Sequence, residues 1–360
     1  MTELTHSFEC NIPFDVVFDE EVEWVKLKET KSEDGQFKMV FELQPNTGEF
    51  FNRTKLRLEN EVLGLSFPLS LSQMYKTYDG HTVIWKKPTY NDPFASVPNF
   101  PRITFNFILI GDGFTKEEIE SGVYDLYCQE AMEGMESLEP FKTYSERFGF
   151  ILLHAESAES GCTDYNATYG GPKVVDTRFK CSYDEFGTGM NCDYTAIQEF
   201  VKTSIEGAGL DYIPTQDVVI VMANGKRYGG VANLTKSGEG VAICPVSEEP
   251  FPNNFVQILR HEAGGHAFGK LADEYSFGGP IDASTASYLK SWQEAGMYLN
   301  VSMSSTEFPK PWQELKDRGK ISDVYVGGFS CSGGVWRSSE NSLMKGMDEG
   351  FNILSRYLIY

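Results

Sequence analysis

The chain contains no apolar run approaching the roughly 20 residues needed to span a bilayer; stretches such as FNFILIG and FGFILLHA are far shorter. No transmembrane segment is expected. A local basic block is also lacking. With 31 basic against 52 acidic residues and a net charge of −21, most of the surface repels a polyanion, which argues against nucleic acid as a partner. The seven cysteines (Cys10, Cys128, Cys162, Cys181, Cys192, Cys244, Cys331) are odd in number and have no CxxC spacing, so a thiolate metal site has no support. Cys181 and Cys192 could close a short loop, although spacing alone does not bring their Cα atoms together. There is no internal repeat or low-complexity tract. The opening MTELTHSFEC lacks the basic n-region and apolar h-region of a signal peptide. Either the chain stays inside the cell or Met1 replaces a removed leader.

What is present is a soluble, core-forming composition. The 360 residues are 41% hydrophobic, enough for one large domain or two ordinary ones. Residues 37–73 read as β-structure. Leu56 and Leu58 alternate with Lys55, Arg57 and Glu59, and Leu65, Phe67, Leu69 and Leu71 alternate with small or polar residues, a period of two. Turn signals at Glu33-Asp34-Gly35, Pro45-Asn46-Thr47-Gly48 and Asp79-Gly80 separate these runs, as a small antiparallel sandwich requires. The proline-rich stretch from Lys87 to Arg102 marks a domain boundary, giving a β-sandwich over residues 1–95 and a second domain over 96–360.

The pattern changes beyond that boundary. An apolar run, Ile103 to Ile110, meets Gly111-Asp112-Gly113 and then Thr115-Lys116-Glu117-Glu118, which has capping-box spacing. This is strand, loop, helix, without the GxxxxGK[ST] pattern of a phosphate loop. Further strands are expected at Phe148 to His154, Val218 to Met222 and Val241 to Val246, with a helix from about Asp193 to Ile205.

The chemistry concentrates in HEAGGHAFGKLADEY, His261 to Tyr275. In the HExxH zinc signature, residues four apart on an α-helix lie about 40° apart around the axis, so both imidazoles face one ion. His261 and His266 are five apart, which would splay them by about 140° on a regular α-helix. A single π-bulge would restore a common face, and Gly264-Gly265 stands where glycine best tolerates it. Two histidines also meet by chance on a core helix, so the following residues carry weight. A catalytic zinc takes three protein ligands, and no histidine follows His266. The third ligand is then a carboxylate or an upstream His154, His81 or His6. Asp273 is preferred and Glu274 is the alternative, with Gly269 ending the helix so that Asp273 can turn back. Glu262 sits beside the open coordination position, where it can take a proton from zinc-bound water and deliver it to a leaving amine.

This segment closely resembles the active-site stretch of peptidase family M64, the IgA-peptidase-like metallopeptidases, in the form HExxGH followed by FGxLADEY. ILIGDGFTKEE (Ile108 to Glu118), ESG (Glu159 to Gly161), KRYGG (Lys226 to Gly230) and GGVWR (Gly333 to Arg337) are similar to the same family. The HExxGH insertion also occurs in dipeptidyl peptidase III, but the LADEY tail favours a metzincin-like pattern. Asn341-Ser342-Leu343-Met344 then resembles a methionine turn, with Met344 beneath the ligand imidazoles. Gly346 stands where some metzincins carry a tyrosine ligand, a departure that removes this additional ligand. Trp24, Asn46, Arg53 and the strand ending at Gln73 more weakly resemble BACON-like domains, which accompany secreted enzymes of Bacteroidetes.

The resemblance implies an α/β (α+β) metzincin-like catalytic domain behind a small all-β sandwich. It implies one catalytic Zn2+ and hydrolysis of extracellular protein or glycoprotein, with a glycan as a candidate ligand of the sandwich. Tyr228, Tyr275 and Arg337 are candidates for stabilising the oxyanion, and an edge strand near Tyr228 to Asn233 for carrying the extended substrate. A secreted protein or cell-surface lipoprotein follows from the family's habits. The rival reading is a non-catalytic glycan or mucin adhesin on a metallopeptidase scaffold.

Overall fold

A computed structural model describes residues 2–10, 12–33, 35–44, 52–73, 82–91, 102–166 and 173–360. The turns at Pro45–Gly48 and Asp79-Gly80, the residues Asp34, Asn46 and His81, and most of the proline-rich stretch lie outside these. The chain divides into two compact units, Met1–Tyr78 with Val83–Lys86, and Asp79–Thr82 with Lys87–Tyr360. It is a mixed α/β protein in which no helix among the described residues is long and apolar enough to cross a membrane.

The first unit holds β1 (Thr2–Glu9), β2 (Asp15–Phe18), β3 (Val25–Glu33), β4 (Gln36–Leu43), β5 (Asn52–Asn60) and β6 (Leu65–Gln73). Strand structure therefore begins well before residue 37, where the alternation first becomes legible. The strands form two antiparallel sheets, β1-β4-β3 and β2-β5-β6. Along β5, Thr54, Leu56 and Leu58 are buried while Lys55 and Arg57 are exposed, the two-residue period of a sheet with one wet face. Leu56 and Leu58 share an apolar cluster with Phe37, Met39 and Phe41 of the other sheet.

After β7 (Thr82–Lys86), the second unit is built on a sheet whose strands β8 (Phe105–Asp112), β9 (Phe148–Leu153), β12 (Val218–Ala223) and β14 (Gly240–Pro245) are parallel, with β13 (Val231–Leu234) antiparallel beside β14. The order is β13-β14-β12-β8-β9. Every residue of β9, β12 and β14 is buried, as expected for parallel strands covered on both faces. Alternate side chains serve the two faces. Ile108, Ile110, Val219 and Val221 pack with Ile197, Val201 and Ile205 of α3 (Tyr194–Gly207), which Asp193 caps. On the other face the Phe107 ring meets Phe141 at 5.9 Å and Phe268 at 5.7 Å.

The loop after β8 is built around a buried carboxylate. Asp112 accepts hydrogen bonds from Thr177 Oγ1 (2.7 Å), Phe179 N (2.7 Å) and Cys181 N (2.9 Å), and burial raises its pKa. Gly113 is left-handed (φ 79°), and a Cβ there would overlap the Gly161 carbonyl. The glycines thus serve close backbone packing. The Thr115–Glu118 capping box opens α1 (Lys116–Glu120), followed by α2 (Val123–Glu136). A disulfide joins Cys181 and Cys192 at the open end of a hairpin, β10 (Ser182–Tyr183) with β11 (Met190–Asn191). The remaining elements are α4 (Phe255–Leu259), a π-helix (Arg260–Phe268), α5 (Ala283–Glu294), β15 (Val301–Ser302), α6 (Lys310–Asp317), β16 (Tyr325–Gly328), β17 (Cys331–Arg337) and α7 (Ile353–Ile359). The last three strands form a sheet ordered β15-β17-β16.

Asp112→Ala would leave two buried amides and a hydroxyl without an acceptor. We expect a loss of about 2–4 kcal/mol, seen as a lower urea midpoint at unchanged m-value. A change below about 0.5 kcal/mol would show that this carboxylate does not organise the loop.

Candidate metal centre

Asn254 caps α4 by accepting from Gln257 N, and at Arg260 the helix passes into π form, which continues to Phe268. The sequence suggested a single bulge; the structure has a nine-residue π segment. Its i→i+5 pattern lets residues five apart share a face. The His261 and His266 ring centroids are 4.7 Å apart, and their Nε2 atoms are 3.1 Å apart.

Packing explains why two glycines are needed. A Cβ at Gly265 would overlap Met344 Sδ, and one at Gly264 would press within 3.1 Å of the Phe141 ring. Met344 is fully buried, so the residue seen in sequence as a methionine turn lies directly against the helix backbone. Gly269 behaves differently from expectation. Its φ is −72°, and Lys270 takes the left-handed conformation (φ 53°) that turns the chain. Glycine is required at 269 because a side chain would crowd Ile359 and the Gly265 carbonyl.

Beyond the turn, successive side chains point to opposite sides. Asp273 Oδ1 lies 3.1 Å from both imidazole Nε2 atoms. Glu274, fully buried, points away and accepts from Ser342 Oγ (2.6 Å), Asn300 Nδ2 (3.0 Å) and Asn352 Nδ2 (3.2 Å). Tyr275 returns to the side of Asp273, and burial together with that carboxylate raises its phenol's pKa. Asn300 also brackets Ala272, accepting from its N–H (2.8 Å) and donating to its carbonyl (2.9 Å), while Glu274 N donates to the Met344 carbonyl (2.7 Å). Burial raises the Glu274 pKa against these hydrogen bonds. The alternation brings Asp273, not Glu274, to the histidines. The contacts of Asn300, Ser342 and Asn352 with Glu274 carried no sequence signal, because they span 26 to 78 residues.

The three donors suit a metal ion. His261 Nδ1 lies 3.0 Å from the Leu343 carbonyl and His266 Nδ1 lies 2.7 Å from the Leu271 carbonyl. A carbonyl can only accept, so each Nδ1 carries a proton, and a ring that has given up its Nε2 proton turns a lone pair there toward the other ring and toward Asp273. Three lone-pair atoms within 3.1 Å repel unless a cation lies among them. Donors about 2.1 Å from an ion at tetrahedral angles stand roughly 3.4 Å apart, close to the observed spacing. Although burial opposes charge on His266, Asp273 overcomes it and raises the ring to about 9. Burial likewise opposes charge on Asp273, but the imidazoles hold its carboxyl well below the usual range. Among the described residues, this is the group of His, Asp and Glu placed to hold a metal.

Of the other upstream histidines, His81 lies outside the described residues. His154 is paired with Asp125 at 3.0 Å, and His6 lies on β1 of the first unit. Glu262 lines a cleft of about 390 Å³ with His261, Tyr228, Gly230, Tyr275, Phe277, Leu343 and Lys345. It is 8% exposed, and burial raises its pKa despite the neighbouring imidazoles. A Cβ at Gly230 would meet the Glu262 side chain at 3.0 Å, so glycine there keeps the carboxylate accessible. Tyr228 is set by its N–H donating to Glu249 Oε1 (2.7 Å). Gly230 N donates to the Thr188 carbonyl (2.9 Å), which the disulfide-closed hairpin presents. Arg337, in contrast, does not line this cleft; its Nη1 donates to the Val326 and Gly327 carbonyls (2.6 and 3.0 Å).

The model of the IgA peptidase M64 family matches residues 95–321. The chain belongs to peptidase family M64. The match contains both histidines, Glu262 and Asp273 and stops before Met344. No curated protein matches the chain. A peptidase acts on polypeptides, and the His261–His266–Asp273 group adjoins the cleft that His261, Glu262, Tyr228 and Tyr275 line.

Two substitutions test the construction of this M64 site. Gly265→Ala should displace Met344 and lower both the melting temperature and the bound metal per chain, with Met344→Ala restoring part of each. Glu274→Ala should cost about 3 kcal/mol or more and loosen the metal although Glu274 does not touch it. Metal content by mass spectrometry with thermal unfolding checks both; unchanged metal content in each variant would separate these supports from the site.

Proposed function

We propose that the protein is a zinc-dependent peptidase that hydrolyses peptide bonds of extracellular protein or glycoprotein. The observation that carries this reading is the 3.1 Å triangle of His261 Nε2, His266 Nε2 and Asp273 Oδ1 with Glu262 beside it in an open cleft. Two imidazoles and one carboxylate form the donor set of a catalytic zinc, which keeps a further position for water or substrate. When bound, Zn2+ supplies Lewis-acid polarisation of water and of the scissile carbonyl.

Glu262 is the general base and acid. Its carboxylate is buried enough to be more basic than an exposed glutamate, so it takes a proton from the attacking water and delivers it to the leaving nitrogen. His261 and His266 are held as acceptors at Nε2 by the Leu343 and Leu271 carbonyls. Met344 forms the floor in the manner of a metzincin. Tyr228 and Tyr275, both in the cleft wall, are the groups for stabilising charge on the carbonyl oxygen, whereas the contacts of Arg337 assign it to packing. The substrate extends along the edge strand β13, whose backbone can pair with any sequence. The Cys181–Cys192 disulfide favours an oxidising compartment, consistent with a secreted or surface-anchored enzyme. We read residues 1–95 as an accessory β-sandwich and 96–360 as the catalytic domain.

Zinc-loaded protein should cleave a mixed peptide library at consistent positions. Glu262→Gln should retain zinc and lose at least about 10²–10⁴-fold in kcat. Because a raised pKa means that Glu262 takes up its proton at a higher pH, kcat/KM should fall on acidification above the range of an exposed glutamate. Hydrolysis that survives Glu262→Gln would sink the proposal.

A further inference from the structure

Among the described residues, one lysine, Lys345, lines the cleft, in a chain whose net charge is −21. Lys345 follows Met344 directly, and the turn carrying it is closed by hydrogen bonds from Lys345 N and Gly346 N to the Ser342 carbonyl (3.0 and 2.9 Å). Its backbone is therefore fixed to the same turn that packs under the helix at Gly265. The side chain is fixed as well: Nζ donates to the Glu340 carbonyl (2.8 Å) and Asn341 Oδ1 (3.0 Å). Both acceptors are neutral. An ammonium has three N–H donors, so one is left for a further acceptor.

Among the described residues no carboxylate forms an ion pair with Lys345, although Glu340, Asp348 and Glu349 are close in sequence and exposed. Some lysines of the second unit have such partners, as Lys226 has Glu248 and Lys180 has Asp176. The lining also includes Thr188, Tyr228, Gly229 and Gly230, and its only carboxylate among the described residues is Glu262, which the proposed chemistry occupies. A positive group that is held in place and not neutralised is suited to bind an anion, because a preorganised charge gives up less freedom on meeting a partner than a mobile one.

We propose that Lys345 is a specificity-determining residue that recognises a carboxylate of the bound polypeptide at one position beside the scissile bond. This rests on the peptidase reading of the cleft, but it concerns recognition and not bond cleavage. Position 345 lies beyond the family match at 95–321. The carboxylate is either an acidic side chain or the free end of the substrate; the chemistry at Lys345 is the same.

The test separates recognition from hydrolysis. Library profiling with the zinc-loaded protein should show Asp and Glu enriched at one subsite, or cleavage confined to a fixed distance from the free carboxyl end. Peptides differing only by Glu or Gln at that position, or by a free or amidated terminus, are then titrated against zinc-loaded Glu262→Gln protein. If the library yields no cut, Glu or Gln is scanned along an unbiased peptide instead. The carboxylate form should bind about five- to tenfold more tightly. In the Lys345→Met background this ratio should fall to about one, and in Lys345→Glu it should invert. A preference that persists in amidated peptides assigns the side chain, and one that needs the free terminus assigns the chain end; either supports the proposal. A ratio near one in the parent protein overturns it, as does a ratio that survives Lys345→Met. Binding preference without any hydrolysis by the wild-type protein would leave this inference standing and reject the peptidase reading.

Discussion

Three electron-rich atoms, two imidazole nitrogens and a carboxylate oxygen, are held 3.1 Å from one another in a half-buried site. Such an arrangement is unfavourable without positive charge at its centre, so the surrounding structure has to impose it. The imposition is distributed. The Leu343 and Leu271 carbonyls take the Nδ1 protons, the π-helix brings the rings together, and Asn300 grips the backbone on the N-terminal side of Asp273. Each support acts on a different element, which is why the site draws on residues from 261 to 352.

The π-helix gives up favourable hydrogen-bond geometry, since i→i+5 turns occur mostly as single distortions. Its stability comes from packing. Small residues at 263, 264, 265 and 267 let Met344, Phe141 and β14 approach the backbone; a Cβ at Gly240 of β14 would already crowd the Ala267 carbonyl. The apolar floor and the candidate ligands His261 and His266 are therefore coupled, because the same backbone carries the histidines and receives Met344. Glu274 extends this coupling by tying the strand after the helix to the segment containing Ser342 and Asn352.

Much of the second unit was legible. The apolar runs at 105–112, 148–153, 218–223 and 240–245 are strands, and Asp193 does cap a helix ending near 207. Continuous apolar runs and capping residues act locally, so spacing reveals them. The first unit was legible only in part: β1 and β3 are largely exposed and polar, and their pairing with β4 is a tertiary fact. Lys270 was hidden for a related reason. A left-handed lysine is uncommon, and here the close approach of Ile359 and the Gly265 carbonyl reserves glycine for the preceding position.

By itself the sequence determined which residue types could form the site: two histidines one residue too far apart for an α-helix, a glutamate beside the first, and a glycine pair between them. It also supplied the resemblance that the family match establishes. Only tertiary structure decided between Asp273 and Glu274, adjacent acids that differ in the side of the chain on which they project. One meets the imidazoles and the other meets Ser342, Asn300 and Asn352. Likewise, three oxyanion candidates were equivalent in sequence until Arg337 proved to be engaged with backbone carbonyls away from the cleft. Direction and long-range partners are set by how distant segments pack, and a linear spacing carries no record of either.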